Sequence, residues 1–166
     1  MVDVSTGYPT RRYHVNMVDL PAGREEKLRE AIELFYFAYR AFTDGPDHIL
    51  EERGLGRVHH RILYFVGRNP QTTVNALLEI LAVSKQALHA PLRQLVEGQL
   101  VVMQADETDR RFKRLSLTSE GKKLEARLTG AQMKLLSAVF AGTGERAQMA
   151  WKTVMREMSH RAGIKS

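Results

Sequence analysis

Between Asn75 and Leu117 the chain changes its hydrophobic period from helical to alternating, and that switch restricts the fold more than any other feature. Asn75 is a good helix N-cap, because its side-chain oxygen can accept one of the amides that a first turn leaves unpaired. It precedes Ala76–Leu81, a compact apolar run of helical character, and Ala82-Val83 then makes a tight turn. Ser84 offers a second N-cap, with Leu88, Leu92, Leu95 and Val96 spaced to face inward and Gly98 placed to end the helix. Two β-prone runs follow, Leu100–Met103 and Phe112–Leu117, separated by the polar segment Gln104–Arg111. Two short capped helices joined by a turn form a helix-turn-helix, and a hairpin directly after it makes that a winged helix-turn-helix.

The flanking segments read as helices built to pack on more than one partner. Residues 1–20 have little periodicity and are expected to form an N-terminal arm, disordered or held by a dimer. From Pro21 to Phe42 the residues Leu28, Ile32, Phe35, Tyr39 and Phe42 make one apolar stripe, and Tyr36 and Phe37 widen it. That surface is too broad for one face of a lone helix, so a second subunit is expected to cover part of it. Gly45-Pro46 is expected to close this helix, with a short separate helix over Asp47–Arg53. Arg57–Arg68 resumes the helical pattern until Asn69-Pro70 stops it. After the hairpin, Thr118 caps a long helix carrying Leu124, Leu128, Leu135, Leu136, Val139 and Phe140. Gly142–Gly144 breaks it, and Glu145–Ala162 forms the last helix, with Trp151, Val154, Met155 and Met158 as its apolar set.

The fold class expected is therefore mainly α (α+β): a winged helix-turn-helix with a small β-hairpin wing between N- and C-terminal dimerisation helices. Its divisions are an arm at 1–20, supporting and dimerising helices at 21–68, the winged unit at 69–119 and dimerisation helices at 120–166.

Charge points to an anionic partner. Twenty-five Lys and Arg against nineteen Asp and Glu leave a net charge of +6, which favours nucleic acid but does not prove it. Location is more telling, because four of the five residues from Arg110 to Arg114 are basic. On the helix from Ser84, Gln86, His89, Ala90 and Arg93 fall opposite the leucines. Gln and Arg carry paired groups that fit adenine and guanine edges, so Gln86 and Arg93 are the candidate base readers, with His89 beside them. Ser84 and Lys85 sit at the helix start, where phosphate contacts are favoured. Arg110 and Arg111 fall at the hairpin tip, where a guanidinium can enter a narrow minor groove. Lys113 and Arg114 would touch the DNA backbone, and Asp109 is expected to orient one of the wing arginines by a salt bridge. Pro91 departs from a helical pattern, deleting a backbone hydrogen bond at a cost of about 3 kcal/mol, and a kink there would tilt His89 and Arg93 relative to Gln86.

The run Asp109-Arg110-Arg111-Phe112-Lys113-Arg114-Leu115-Ser116-Leu117-Thr118-Ser119-Glu120-Gly121 resembles the wing of the MarR family. That pattern is D-R-R, a strand ending in L-x-L-T, then x-x-G and a helix, and every position is filled. The helix order extends the resemblance over roughly residues 24–162. It implies a symmetric homodimer whose first and last helices intertwine, acting on double-stranded DNA with a pseudo-palindromic operator and tending to repress. It also implies a small-molecule effector pocket between the dimer helices and the winged domain, where Tyr36, Tyr39, His59, His60 and Arg61 lie; interface packing explains the same residues equally well.

Other classes find less support. There is no phosphate-cradling glycine loop, nucleophile elbow, HExxH or paired-carboxylate spacing, so no enzyme and no cofactor is expected. With no cysteine there is no disulfide framework or thiolate metal site. Among six histidines only His59-His60 are adjacent, and helical neighbours point about 100° apart. A metal-responsive regulator would need His48 or Glu51 to join them. A winged helix used for protein contacts alone has no need of clustered wing cations. No run is long and apolar enough to span a membrane and no secretory leader is apparent, so the cytoplasm is the expected compartment.

Overall fold

The computed structural model describes residues 21–106, 109 and 112–164. The expected arm at 1–20 lies outside the described residues. The Pro21 carbonyl accepts the amides of Arg24 (2.7 Å) and Glu25 (3.2 Å), opening helix α1, Ala22–Glu51. This helix runs straight through Gly45-Pro46, so the break expected there and the separate helix over Asp47–Arg53 are both corrected. The reason is tertiary. Pro46 has no N–H to give the Phe42 carbonyl, and the Gln132 amide of a later helix donates to that oxygen instead, at 3.4 Å. Gly45 lies against Ala131 of that same later helix, where an added Cβ would stand 3.4 Å from the Ala131 Cβ.

Helix α2, Arg57–Arg68, is followed by a short strand β1, Thr72–Thr73, and helix α3, Val74–Leu81. The cap of α3 is Thr73, whose hydroxyl accepts from the Ala76 amide at 3.1 Å, not Asn75. Strand pairing places Thr73 in extended geometry at φ −88°, ψ 160°, and an N-cap needs that conformation. The turn out of α3 uses Ala82 in the left-handed region, at φ 52°. Helix α4, Lys85–Glu97, begins as expected on Ser84, whose hydroxyl accepts from Ala87 at 3.2 Å. Gly98 ends it, but the left-handed residue is the next one, Gln99, at φ 55°.

Strands β2, Val101–Ala105, and β3, Lys113–Leu117, form the wing hairpin. β1 pairs with the outer side of β3, giving a three-stranded antiparallel sheet in the order β1-β3-β2. The sheet is thus larger than a hairpin, because Thr72 and Thr73 register against Leu115 and Arg114. Thr118 then caps α5, Ser119–Thr143, and Gly144 (φ 83°) separates it from α6, Glu145–Arg161.

The core centres on α2. Ile62, Leu63 and Val66 are wholly buried, among Leu77 of α3, Leu88 and Leu95 of α4, Leu115 of β3, and Leu124 and Leu128 of α5. Each such side chain contributes about 1.5–3 kcal/mol relative to exposure. Their common cluster is what locks the reading head to the long helices. The ends of those helices are different. Ile32 is 68% exposed and Phe35 50%, while Trp151, Val154 and Met158 of α6 are also exposed. No helix among the described residues is long and apolar enough to cross a membrane.

Candidate nucleic-acid interface

Helix α4 has two faces of opposite character. Leu88, Leu92 and Leu95 are buried, whereas Ser84, Lys85, Gln86, Ala87, His89, Ala90 and Arg93 are exposed. Pro91 does not interrupt this: the helix continues past it, and Leu92 and Leu95 pack into the same core as Leu88. The carbonyl left without Pro91's amide belongs to Ala87, on the exposed side, where water can take its place. Gln86, His89 and Arg93 therefore share one accessible surface. Arg93 stands 3.7 Å from Glu97 in an exposed i,i+4 pair, a weak tie that water and salt screen.

Gln94 also belongs to the exposed side, but its amide is occupied. His59 is buried, and its Nδ1 accepts the Gly56 amide at 2.9 Å. That assigns the ring proton to Nε2, which donates to Gln94 Oε1 at 2.9 Å. Gln94 Nε2 in turn donates to the Gly54 carbonyl at 3.2 Å. The start of α2 is thereby stitched to α4, and both ring nitrogens of His59 are taken up in that link.

The wing follows directly after α4 in the chain. Lys113 is exposed on β3, while Arg110 and Arg111 lie outside the described residues. Arg114, expected on the DNA backbone, has partners within the protein: its Nε pairs with Asp106 and its Nη1 donates to the Gln71 carbonyl at 3.1 Å. Asp106 is buried and its Oδ1 also accepts the Asp109 amide at 3.0 Å. Sequence reasoning passed over Asp106. The one local signal was the short acidic side chain at the start of a polar loop, where Asp accepts a backbone amide three residues on as it does in a helix cap.

At the C-terminal edge of the wing, the Thr118 hydroxyl donates to the Gln99 carbonyl at 2.7 Å and accepts the Gly121 amide at 3.0 Å. Gly121 packs directly on Leu100, where a Cβ would fall 1.9 Å from the carbonyl oxygen. The L-T-x-x-G sequence thus seats α5 against β2.

A cavity of about 390 Å³ lies between α1, α2 and α5. Tyr39, His60 and Arg61 line it, together with Asp47, Arg57, Tyr64 and Gln132, which sequence reasoning missed. Tyr36 and His59 do not line it; Tyr36 is exposed, edge-on to Phe37 at 5.5 Å. Arg57 grips Asp47 through Nη2 at 2.6 Å and stands over the Tyr39 ring at 5.4 Å. The carboxylate holds its pKa above the usual arginine value. Burial pushes His60 below its ordinary value, against the upward pull of Glu125 and Asp47. Among the described residues no three His, Asp or Glu side chains gather as a metal site.

Residues 53–111 match the model of the MarR family. HTH-type transcriptional regulator PetP of Rhodobacter capsulatus is 39% identical over 134 residues, covering 81% of each chain. The chain belongs to the MarR family. Its architecture agrees with solved members. A MarR family transcription regulator superposes with a TM-score of 0.72 at 17% identity, over 85% of this chain and 93% of that one. S. aureus MarR in complex with salicylate and kanamycin gives 0.70 at 24% identity, over 87% and 98%. A mutant S. aureus MepR bound to an oligodeoxyribonucleotide gives 0.55 at 19%, over 80% and 97%. These likenesses establish a MarR winged helix-turn-helix fold, and with the PetP relationship the chain is a transcriptional regulator of that family.

Proposed function

We propose that this regulator binds double-stranded DNA sequence-specifically as a homodimer, on a pseudo-palindromic operator, and represses transcription by occupying it. The observation that carries the reading is the split face of α4: Gln86, His89 and Arg93 exposed together, directly opposite a leucine row in the core. Such a helix seats its polar side in the major groove while the wing lies alongside. Gln86 and Arg93 read base edges, Ser84 and Lys85 hold phosphate at the helix start, and Arg110, Arg111 and Lys113 supply the wing's positive charge. Asp109 orients a wing arginine. The apolar residues exposed on α1 and α6 support the dimer, since patches of this kind mark association surfaces. The homologous fold of MepR, solved on an oligodeoxyribonucleotide, favours the same mode.

The cavity beside Tyr39, His60 and Arg61 supports a second element, release of DNA by a small molecule. Its size suits such a ligand, and S. aureus MarR was solved with salicylate and kanamycin. The test is selection from random duplexes at about 150 mM salt, where screening suppresses nonspecific attraction. An inverted repeat with half-sites roughly one helical turn apart is expected. Binding that enriches no sequence and vanishes with salt would sink the proposal. A promoter carrying the selected site then reports repression by reduced transcript.

A further inference from the structure

Four wing-region cations look alike in the sequence, and the structure shows where the charge of one of them, Arg114, goes. Its partner Asp106 is 8% exposed and lies at the start of the wing loop, whose amide donates to the Phe112 carbonyl at 3.0 Å. Arg114 itself sits in β3 opposite Thr73, the residue that caps α3. Its Nη1 reaches the carbonyl of Gln71, which turns the chain from α2 into β1 in a left-handed conformation, φ 66°. Gln71 is held in turn by Leu115 (amide to carbonyl, 3.0 Å) and by Ser116 (side chain to hydroxyl, 2.9 Å). One guanidinium therefore joins the wing loop, the central strand and the entry to the helix-turn-helix.

We propose that Asp106 and Arg114 are positioning residues: the pair fixes the wing relative to α4, and the Arg114 charge is neutralised within the protein instead of meeting a phosphate. The proposal rests on the DNA-binding reading above. A rigid brace is needed because α4 and the wing must reach two grooves of one half-site at once. Removing a buried partner leaves an uncompensated charge and loosens what it held.

Coulomb attraction and bracing predict opposite signs for Asp106→Asn. The substitution adds one positive charge per subunit, which by charge alone tightens binding to any duplex. Loss of the brace instead weakens binding to the selected duplex by about tenfold or more, while a random-sequence duplex is bound as well as before or better. Arg114→Gln should lower affinity for the selected duplex with an unchanged dependence on salt, since a lost phosphate contact would reduce the log–log slope by about 1 per subunit. Undiminished binding of the selected duplex by Asp106→Asn, or a reduced slope for Arg114→Gln, overturns the proposal. Should either variant unfold, the wild-type Arg114 Nε–H resonance decides: it should exchange slowly and hold its position when the selected duplex is added. A resonance moved by DNA indicates a phosphate contact and ends the brace. Failure of the wild-type protein to select any sequence is a separate result, visible before any variant is made, and defeats the DNA reading itself.

Discussion

A methyl group on Gly121 would lie 1.9 Å from the Leu100 carbonyl oxygen and 2.9 Å from its carbon. Backbone atoms cannot swing aside as a side chain can, so Gly121→Ala must push α5 off β2. The expected cost is about 3 kcal/mol or more, read as a lower urea midpoint; an unchanged midpoint would mean that α5 is seated differently. A second residue-scale prediction concerns acid. Burial depresses His60 below its ordinary 6.5, so the unfolded chain takes up the proton first as pH falls. The stability it contributes is complete above that value and is lost on acidification below it. His60→Gln should therefore flatten the fall in denaturation midpoint between about pH 7.5 and 5.5. His48, exposed and raised by the Asp44 carbonyl, works in the opposite direction, which is why the comparison is between wild type and variant. At this scale the sequence was legible where a side chain acts on its own neighbours, as at Ser84 and Thr118. It was not legible for the pairing of Asp106 with Arg114 or of Gln94 with His59, which joins residues eight and thirty-five positions apart.

Elements were read correctly wherever local chemistry decided their ends, and misread where packing did. The interruption expected at Gly45-Pro46 is absent because Gln132 serves the carbonyl that proline cannot. The start of α3 moved from Asn75 to Thr73 because strand pairing with β3 sets Thr73 in extended geometry. This gives a direct comparison: Thr73→Ala should cost about 1 kcal/mol as a lost cap, whereas exposed Asn75→Ala should stay within about 0.5 kcal/mol. Equal losses in chemical denaturation would return the cap to Asn75. The link from Gly56 through His59 to Gln94 shows the same dependence. No helical period reveals it, since it crosses between α2 and α4.

For the whole molecule, the apolar side chains left outside the core are the strongest quantitative statement. Ile32 at 68% and Met149 at 63% exposure belong to the first and last helices, and a stable association would cover such surfaces. Ile32→Glu is expected to shift the sedimenting species from dimer to monomer at micromolar concentration and to weaken operator binding with it. A monomeric wild type would remove the basis of the homodimer. If six to ten phosphates are neutralised, affinity should drop by about 10³ to 10⁵ between 50 and 200 mM salt.

The division between sequence and tertiary structure follows from range. Periodicity, capping residues and turn chemistry act within a few positions, and they were enough to determine the order of helices, the winged reading head, the polar face of α4 and the likeness to MarR proteins. Only the folded chain decided that α1 continues past a proline, that β1 adds a third strand, that Tyr36 and His59 stay out of the cavity, and that Arg114 faces Asp106. Each of these turns on a hydrogen bond, pairing or burial between segments distant in sequence, and no local pattern encodes which distant group will be there to receive it.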